Sequence, residues 1–195
     1  CALPISTDYI TSPASASNIP SGDFTVELWA YATSLPAQVG LVGINNTTSS
    51  GSANFGLYLE SNGKITFFVA GNVTTYSSAN TVVTVGSWNY IAFVRSGSTN
   101  TVYVNGVSVL TNTATPSWSG TPVMTVGRLF GDNTGVCFYG YLSDVRITKY
   151  ALYTSNFLPP TQTVTNYSST TYPSNLLLNF TNGGIIDYHG SNNLE

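Results

Sequence analysis

Phe24-Thr25-Val26-Glu27-Leu28-Trp29-Ala30-Tyr31 is the stretch on which the fold turns. Phe24, Val26, Leu28 and Ala30 fall on one side and Thr25, Glu27, Trp29 and Tyr31 on the other, the two-residue period of a β-strand. One face is apolar; the other is aromatic without being dry, as expected of a sheet that packs on a core by one side. The same rhythm recurs. Runs of about four to eight residues rich in Val, Ile, Thr, Tyr, Phe and Trp alternate with Gly, Asn, Ser and Pro clusters. Residues 54–60 and 64–70 flank Ser61-Asn62-Gly63 and read as a hairpin, because Asn-Gly supplies the positive φ angles of a tight turn. A second hairpin joins 89–95 to 101–105 through a loop at 96–100, and Asn105-Gly106 turns the chain into 107–110. Further strands are expected at 124–126, 137–139 and 142–148. No window longer than a turn has helical apolar spacing. About ten to thirteen antiparallel strands with large loops predict an all-β fold, an antiparallel two-sheet jelly-roll sandwich.

The composition agrees and removes several function classes. At 195 residues the chain has the length of one sandwich domain, and 42% hydrophobic and 13% aromatic residues suffice for a sizeable core. Charged residues are only 7%, against about 25% in ordinary soluble domains, so 24 Ser, 27 Thr and 19 Asn make the surface neutral-polar. Five Lys and Arg at a net charge of −3 offer no basic patch for phosphates, which argues against nucleic acid and anionic membranes as partners. No apolar run approaches the ~18 residues of a membrane-spanning helix, so no membrane insertion is expected. A single histidine, His189, excludes a multi-histidine metal site, and Cys1 and Cys137 form no metal or redox spacing.

The alternation stops after Phe157-Leu158-Pro159-Pro160. Residues 161–174 read as a Thr/Ser/Tyr-rich linker, and 175–195 begin with a fresh strand, Leu176-Leu177-Leu178-Asn179-Phe180. That apolar run must find a sheet. It is expected to fold back onto the body as its first strand, or to open a following repeat. Residues 1–7 are expected to be a non-native or disordered leader, since Cys1-Ala2-Leu3-Pro4-Ile5 corresponds in one frame to the end of a sequencing adapter on an environmental reading frame.

Several pieces carry a family resemblance. They are Gly22-Asp23-Phe24-Thr25-Val26-Glu27-Leu28-Trp29, residues 86–95, Val102-Tyr103-Val104-Asn105-Gly106, Val126-Gly127, and Gly140-Tyr141-Leu142-Ser143-Asp144-Val145-Arg146-Ile147. In order and spacing the chain resembles the laminin-G-like domains of the concanavalin A-like lectin/glucanase superfamily, over residues 8–160. The trailer at 149–160 is similar to versions found in tandem in tail, fibre and capsid-associated proteins of phages and other viruses. Ser143 departs from the resemblance, standing where an acidic residue is usual. The resemblance implies a concanavalin A-like jelly roll displayed on a virion surface or outside a cell, with glycans or cell-surface polysaccharides and neighbouring repeats of the same chain as partners.

Catalysis lacks its residues. The Glu-x-Asp-x-x-Glu pattern of the superfamily's glucanases is absent, and Asp23 and Glu27 on one strand would stand ~13 Å apart, beyond the ~5–9.5 Å of a glycosidase pair. A non-catalytic carbohydrate-binding or adhesion module is therefore expected, with an architectural spacer as the alternative and a degenerate glycan hydrolase behind both. Trp29 and Trp88 lie within strands and are expected to fill core. Trp118 lies in a Pro/Ser/Gly-rich loop and is a candidate to touch a sugar, because loops carry binding residues. The loops 44–52 and 129–135 offer Asn45, Asn46, Asp132 and Asn133 as oxygen-bearing ligand candidates. Related laminin-G-like domains often hold Ca²⁺ at a loop rim, which makes Asp132 the candidate metal ligand.

Overall fold

The structure is a computed structural model and describes residues 3–5, 9–45, 53–69, 74–118, 120–129, 137–162 and 174–178. Among these, thirteen strands and one turn of 3₁₀ helix (Ala16–Asn18) form two antiparallel sheets, the expected jelly-roll sandwich. The seven-stranded sheet has β1 (Leu3–Ile5), β12 (Gly140–Thr148), β3 (Phe24–Ala32), β8 (Trp88–Ser96), β9 (Thr99–Val104) and β10 (Val107–Asn112) in spatial order, with β13 (Ser174–Leu178) also on β12. The six-stranded sheet has β2 (Ile10–Thr11), β11 (Val123–Val126), β4 (Val39–Asn45), β5 (Ala53–Leu59), β6 (Ile65–Val69) and β7 (Thr75–Ser77).

The core lies between the sheets, and the alternation read in β3 fills it. Phe24, Val26, Leu28 and Ala30 all point inward and are fully buried. Phe93 of β8 is the centre of an aromatic cluster, with its ring 5.3 Å from Phe24, 4.9 Å from Phe55 and 4.9 Å from Phe67. The two sheets thus meet ring to ring, in the tilted and edge-on geometries that aromatic quadrupoles favour.

Turn chemistry follows the sequence with two refinements. Asn105 and Gly106 both have positive φ, as a two-residue primed turn between β9 and β10 demands. Between β5 and β6 only Gly63 is left-handed, and its N–H donates to the Glu60 carbonyl at 2.9 Å, so the loop is of the three-residue kind. The β8–β9 loop is tighter than expected, with Ser96 already opposite Thr99.

Strand β4 lies where the sequence suggested a loop from residue 44 onward and no strand before it. All seven of its residues are buried, because the backbone of Leu129 crosses its outer side where Gly40 and Gly43 carry no side chain. A strand covered on both faces has no polar alternation to read. The strand expected at 137–139 reduces to one bridge, Cys137 opposite Arg128.

At the edge of β12, two strands lie end to end. β1 pairs with Gly140 to Leu142 and β13 with Val145 to Thr148, both antiparallel to β12. Leu3–Ile5, part of the expected leader, is thus a paired strand rather than disordered, because the edge beside residues 140–142 is open to it. Leu176 and Leu178 of β13 bury into the main core beside β12. Leu178→Ala is expected to lower unfolding free energy by about 2–5 kcal/mol, the usual cost of emptying a fully buried leucine site. Chemical denaturation checks this, and an unchanged midpoint would show that β13 is not held.

Candidate functional site

The outer face of the seven-stranded sheet is divided into a covered part and a bare part. Thr25, Glu27, Trp29 and Tyr31 project from it, since their inward neighbours are core. Over Thr25 and Glu27 passes the segment 149–160, a strap that crosses back over the sheet. Thr25 Oγ1 donates to the Tyr150 carbonyl at 2.8 Å and accepts from the Leu152 N–H at 3.0 Å. Tyr153 and Phe157 stack with centroids 3.6 Å apart, and Phe157 lies edge-on to Tyr90 and Tyr103. The strap closes on the β9–β10 turn, where the Phe157 N–H donates to the Gly106 carbonyl at 2.9 Å; a side chain at Gly106 would collide with the Phe157 carbonyl.

Beneath the strap lies the chain's buried ion pair. Glu27 is 0% exposed; its Oε1 pairs with the Arg146 guanidinium and its Oε2 accepts the Tyr90 hydroxyl at 2.5 Å. Burial pushes the Tyr90 hydroxyl far above the ordinary tyrosine range, and the Glu27 charge pushes it further; Tyr153 is raised for the same two reasons. On the other sheet, burial and then Glu60 push Tyr58 up to about 12. With both oxygens engaged and no solvent contact, Glu27 is a structural group out of reach of a substrate.

The bare part begins beyond the strap. Trp88, Tyr31 and Tyr141 stand in register on β8, β3 and β12, with Tyr31 opposite both others. Ring centroids are 5.6 Å apart for Tyr31 and Trp88 and 6.0 Å for Tyr31 and Tyr141. Trp88 is 43% and Tyr141 41% exposed. The expectation that Trp88 fills core is therefore overturned. It opens β8 at a position whose parity, set by inward Ile91 and Phe93, is outward. Trp29 is also outward, half-buried rather than in the main core, with its edge on Tyr90 at 5.1 Å.

Next to this aromatic row a cleft of about 710 Å³ opens between Trp29, Asp144 and the end of the strap, where Leu158, Pro159, Pro160 and Gln162 form the opposite wall. Leu158 is 92% exposed. Asp144 is placed there by a bulge in β12 between Ser143 and Arg146, with φ at 51°, and the Ser143 hydroxyl donates to its carboxylate at 3.2 Å. A row of ring faces beside a concave, partly polar wall is suited to the apolar faces and hydroxyl edges of sugars.

The residues singled out from sequence lie elsewhere. Trp118 is half-buried and sets its edge on Phe24 at 5.8 Å, against the main core. Phe24 and Tyr31 are seven residues apart on β3, roughly 23 Å at ~3.3 Å per residue, so Trp118 and the aromatic row occupy opposite ends of the sandwich. Asn45 closes β4 instead of opening a loop; it is buried, and its Nδ2 donates to the Leu129 carbonyl at 2.7 Å. Asn46, Asp132 and Asn133 lie outside the described residues, and the Ca²⁺ expectation at Asp132 with them. Among the described residues no three His, Cys, Asp or Glu side chains come together. Alternation alone could have marked Trp29 and Tyr31 as outward, but joining Trp88 and Tyr141 to them needed the strand register.

A two-sheet antiparallel jelly roll with an uncovered aromatic row on one outer face defines a lectin-like β-sandwich. The chain belongs to the concanavalin A-like lectin/glucanases superfamily, whose family model matches residues 5–156. No curated protein matches the sequence. Among solved structures, a Bacteroides ovatus protein with a proposed carbohydrate-binding role superposes with a TM-score of 0.71 at 16% identity, over 100% of this chain. This chain spans 59% of that protein's length. The heptameric SAP-like pentraxin of Limulus polyphemus superposes with a TM-score of 0.59 at 15% identity, covering 95% of this chain and 92% of its own. The CBM40 of the Ruminococcus gnavus IT-sialidase, solved with α2,3-sialyllactose, gives 0.59 at 15% identity over 78% of this chain and 94% of its own.

Two outcomes follow from the covered part. Glu27→Gln should cost about 3–5 kcal/mol of stability by stranding Arg146, whereas Glu27→Leu with Arg146→Met should cost far less, since ion pair and apolar pair are nearly equivalent when buried. Denaturant titration of the variants decides it, and equal losses would remove the pair from its structural role. In alkali, the unfolded chain ionises its tyrosines near the ordinary value of 10.0, while Tyr58, Tyr90 and Tyr153 stay protonated in the fold. Their folded values are raised, so the stability they contribute is complete below that pH and declines as pH rises above it. Phenolate absorbance should titrate in two stages, the second coinciding with unfolding.

Proposed function

We propose that the protein is a non-catalytic carbohydrate-binding module whose site is the bare part of the outer face, the row Trp88, Tyr31 and Tyr141 with the adjoining Trp29–Asp144 cleft. The observation that carries this reading is the row itself: three aromatic residues on adjacent strands, in register, beside a concave wall. Isolated surface aromatics need no explanation, but an ordered row next to a cleft does. Structures of the same fold, the Bacteroides ovatus protein with its proposed carbohydrate-binding role and the CBM40 solved with sialyllactose, support a glycan as the ligand. Burial of Glu27 under the strap supports a site that holds its ligand without cleaving it. The similarity of the 149–160 trailer to viral versions supports display on a virion or outside a cell, where such a module would serve adhesion.

Glycan-array binding of the protein is the test. Trp88→Ala is expected to weaken binding roughly tenfold, about 1.4 kcal/mol, with little change in thermal midpoint because the ring is exposed. Trp118→Ala should do the reverse, lowering the midpoint and sparing binding. Binding that depends on Trp118 and ignores Trp88 would move the site to the other end of the sandwich.

A further inference from the structure

Building on the carbohydrate-binding reading, we propose that this site takes a single chain of neutral sugars and discriminates against acidic ones. The argument is an inventory of charge. All five Lys and Arg residues lie among the described residues, and none serves the row. Arg146 is buried with Glu27, and Arg128 is buried with its guanidinium 4.4 Å from the Tyr9 ring centroid. Arg95 donates to Asn100 Oδ1 and the Ala114 carbonyl, opposite Phe24 at the far end of β3. Lys149 follows β12 eight residues after Tyr141, roughly 26 Å away at ~3.3 Å per residue. Lys64 sits between β5 and β6 in the other sheet, a further layer of about 10 Å from this one. The Debye length at physiological ionic strength is about 8 Å, so the charges of Lys64 and Lys149 are largely screened from the row.

Among the described residues, the charge in the cleft wall that adjoins the row is negative, Asp144. A sialic or uronic acid carboxylate placed here would lose water, find no Lys or Arg partner and face a like charge. A neutral pyranose meets none of these costs. Its C–H faces lie on the rings, and its hydroxyls donate to Asp144 or exchange hydrogen bonds with Gln162 and the tyrosine hydroxyls.

Ring orientation narrows the form of the ligand. Successive rings in the row are inclined by 60° and 65°, so no plane spans all three. A flat crystalline polysaccharide surface cannot seat on them together. One chain that rotates at its glycosidic bonds can.

The experiment is calorimetric titration of the full chain with neutral hexasaccharides (laminarihexaose, cellohexaose, mannohexaose) and with sialyllactose and hexagalacturonic acid, at low and high salt, alongside retention on microcrystalline cellulose. A neutral oligosaccharide is expected to bind in a Trp88-dependent manner, and the acidic probes about tenfold or more weaker at low salt. Asp144→Asn should strengthen acidic probes and weaken the neutral one, opposite signs that simple misfolding would not produce; Asn tolerates the left-handed backbone found there. Acidic probes bound as tightly as neutral ones, and lost in Trp88→Ala, would overturn the neutral preference while leaving carbohydrate binding in place. Retention on cellulose without binding of any soluble chain would overturn the single-chain form. Binding of no glycan of either kind would instead overturn the carbohydrate-binding reading itself.

Discussion

A carboxylate and a guanidinium buried on the outer face of a sheet set the terms for the rest of this molecule. Glu27 and Arg146 sit on adjacent strands, paired in register across β3 and β12, where an ordinary sandwich would leave them in water. The strap at 149–160 dries that part of the face. Burying two ions costs several kcal/mol each, which their attraction offsets only if the remaining hydrogen-bonding capacity is met. Tyr90 meets it by donating to the second carboxylate oxygen, and the ring of Tyr90 in turn gives Phe157 a surface to pack on. Charge pairing and aromatic packing thus hold the strap in one place, and its position fixes where the covered face ends.

That boundary is what creates the candidate site. Trp29 stands on it, with one edge on buried Tyr90 and the other side open to the cleft. Beyond it, Tyr31 is half-buried, and its partners Trp88 on β8 and Tyr141 on β12 are exposed. The strap also supplies the far wall of the cleft through Leu158, Pro159 and Pro160. One segment therefore protects a structural ion pair on one side and shapes an open groove on the other.

Scarcity of charge has a second consequence. In a chain with 7% charged residues, each ion has a large share of the electrostatics, and most of the cations are committed to internal partners. Solubility falls to Ser, Thr and Asn, whose hydroxyls and amides fill loops and sheet rims. Among the described residues the charge in the cleft wall beside the aromatic row is Asp144, a setting suited to ligands that are themselves neutral and rich in hydroxyls.

The two-residue alternation in 24–31 and the Asn-Gly turns were enough to predict an antiparallel jelly roll, because half-buried strands and left-handed turn positions leave residue-level marks. That Leu176 to Leu178 form a strand in need of a sheet was equally legible, since a continuous apolar run is costly to leave in water; that the sheet is β12 of this domain was not. Strand β4 was not, because the Leu129 segment covers its outer side and burial on both faces erases alternation. Nor was the site. Tyr31, Trp88 and Tyr141 are separated by tens of residues and become neighbours only through the pairing of β3 with β8 and β12, while Trp118, conspicuous in its loop, turns inward to Phe24. Sequence by itself determined the half-buried strands with their tight turns and which face of β3 is apolar, properties set by neighbours along the chain. Which outward aromatics come together in one row was decided by the tertiary structure alone, through strand register.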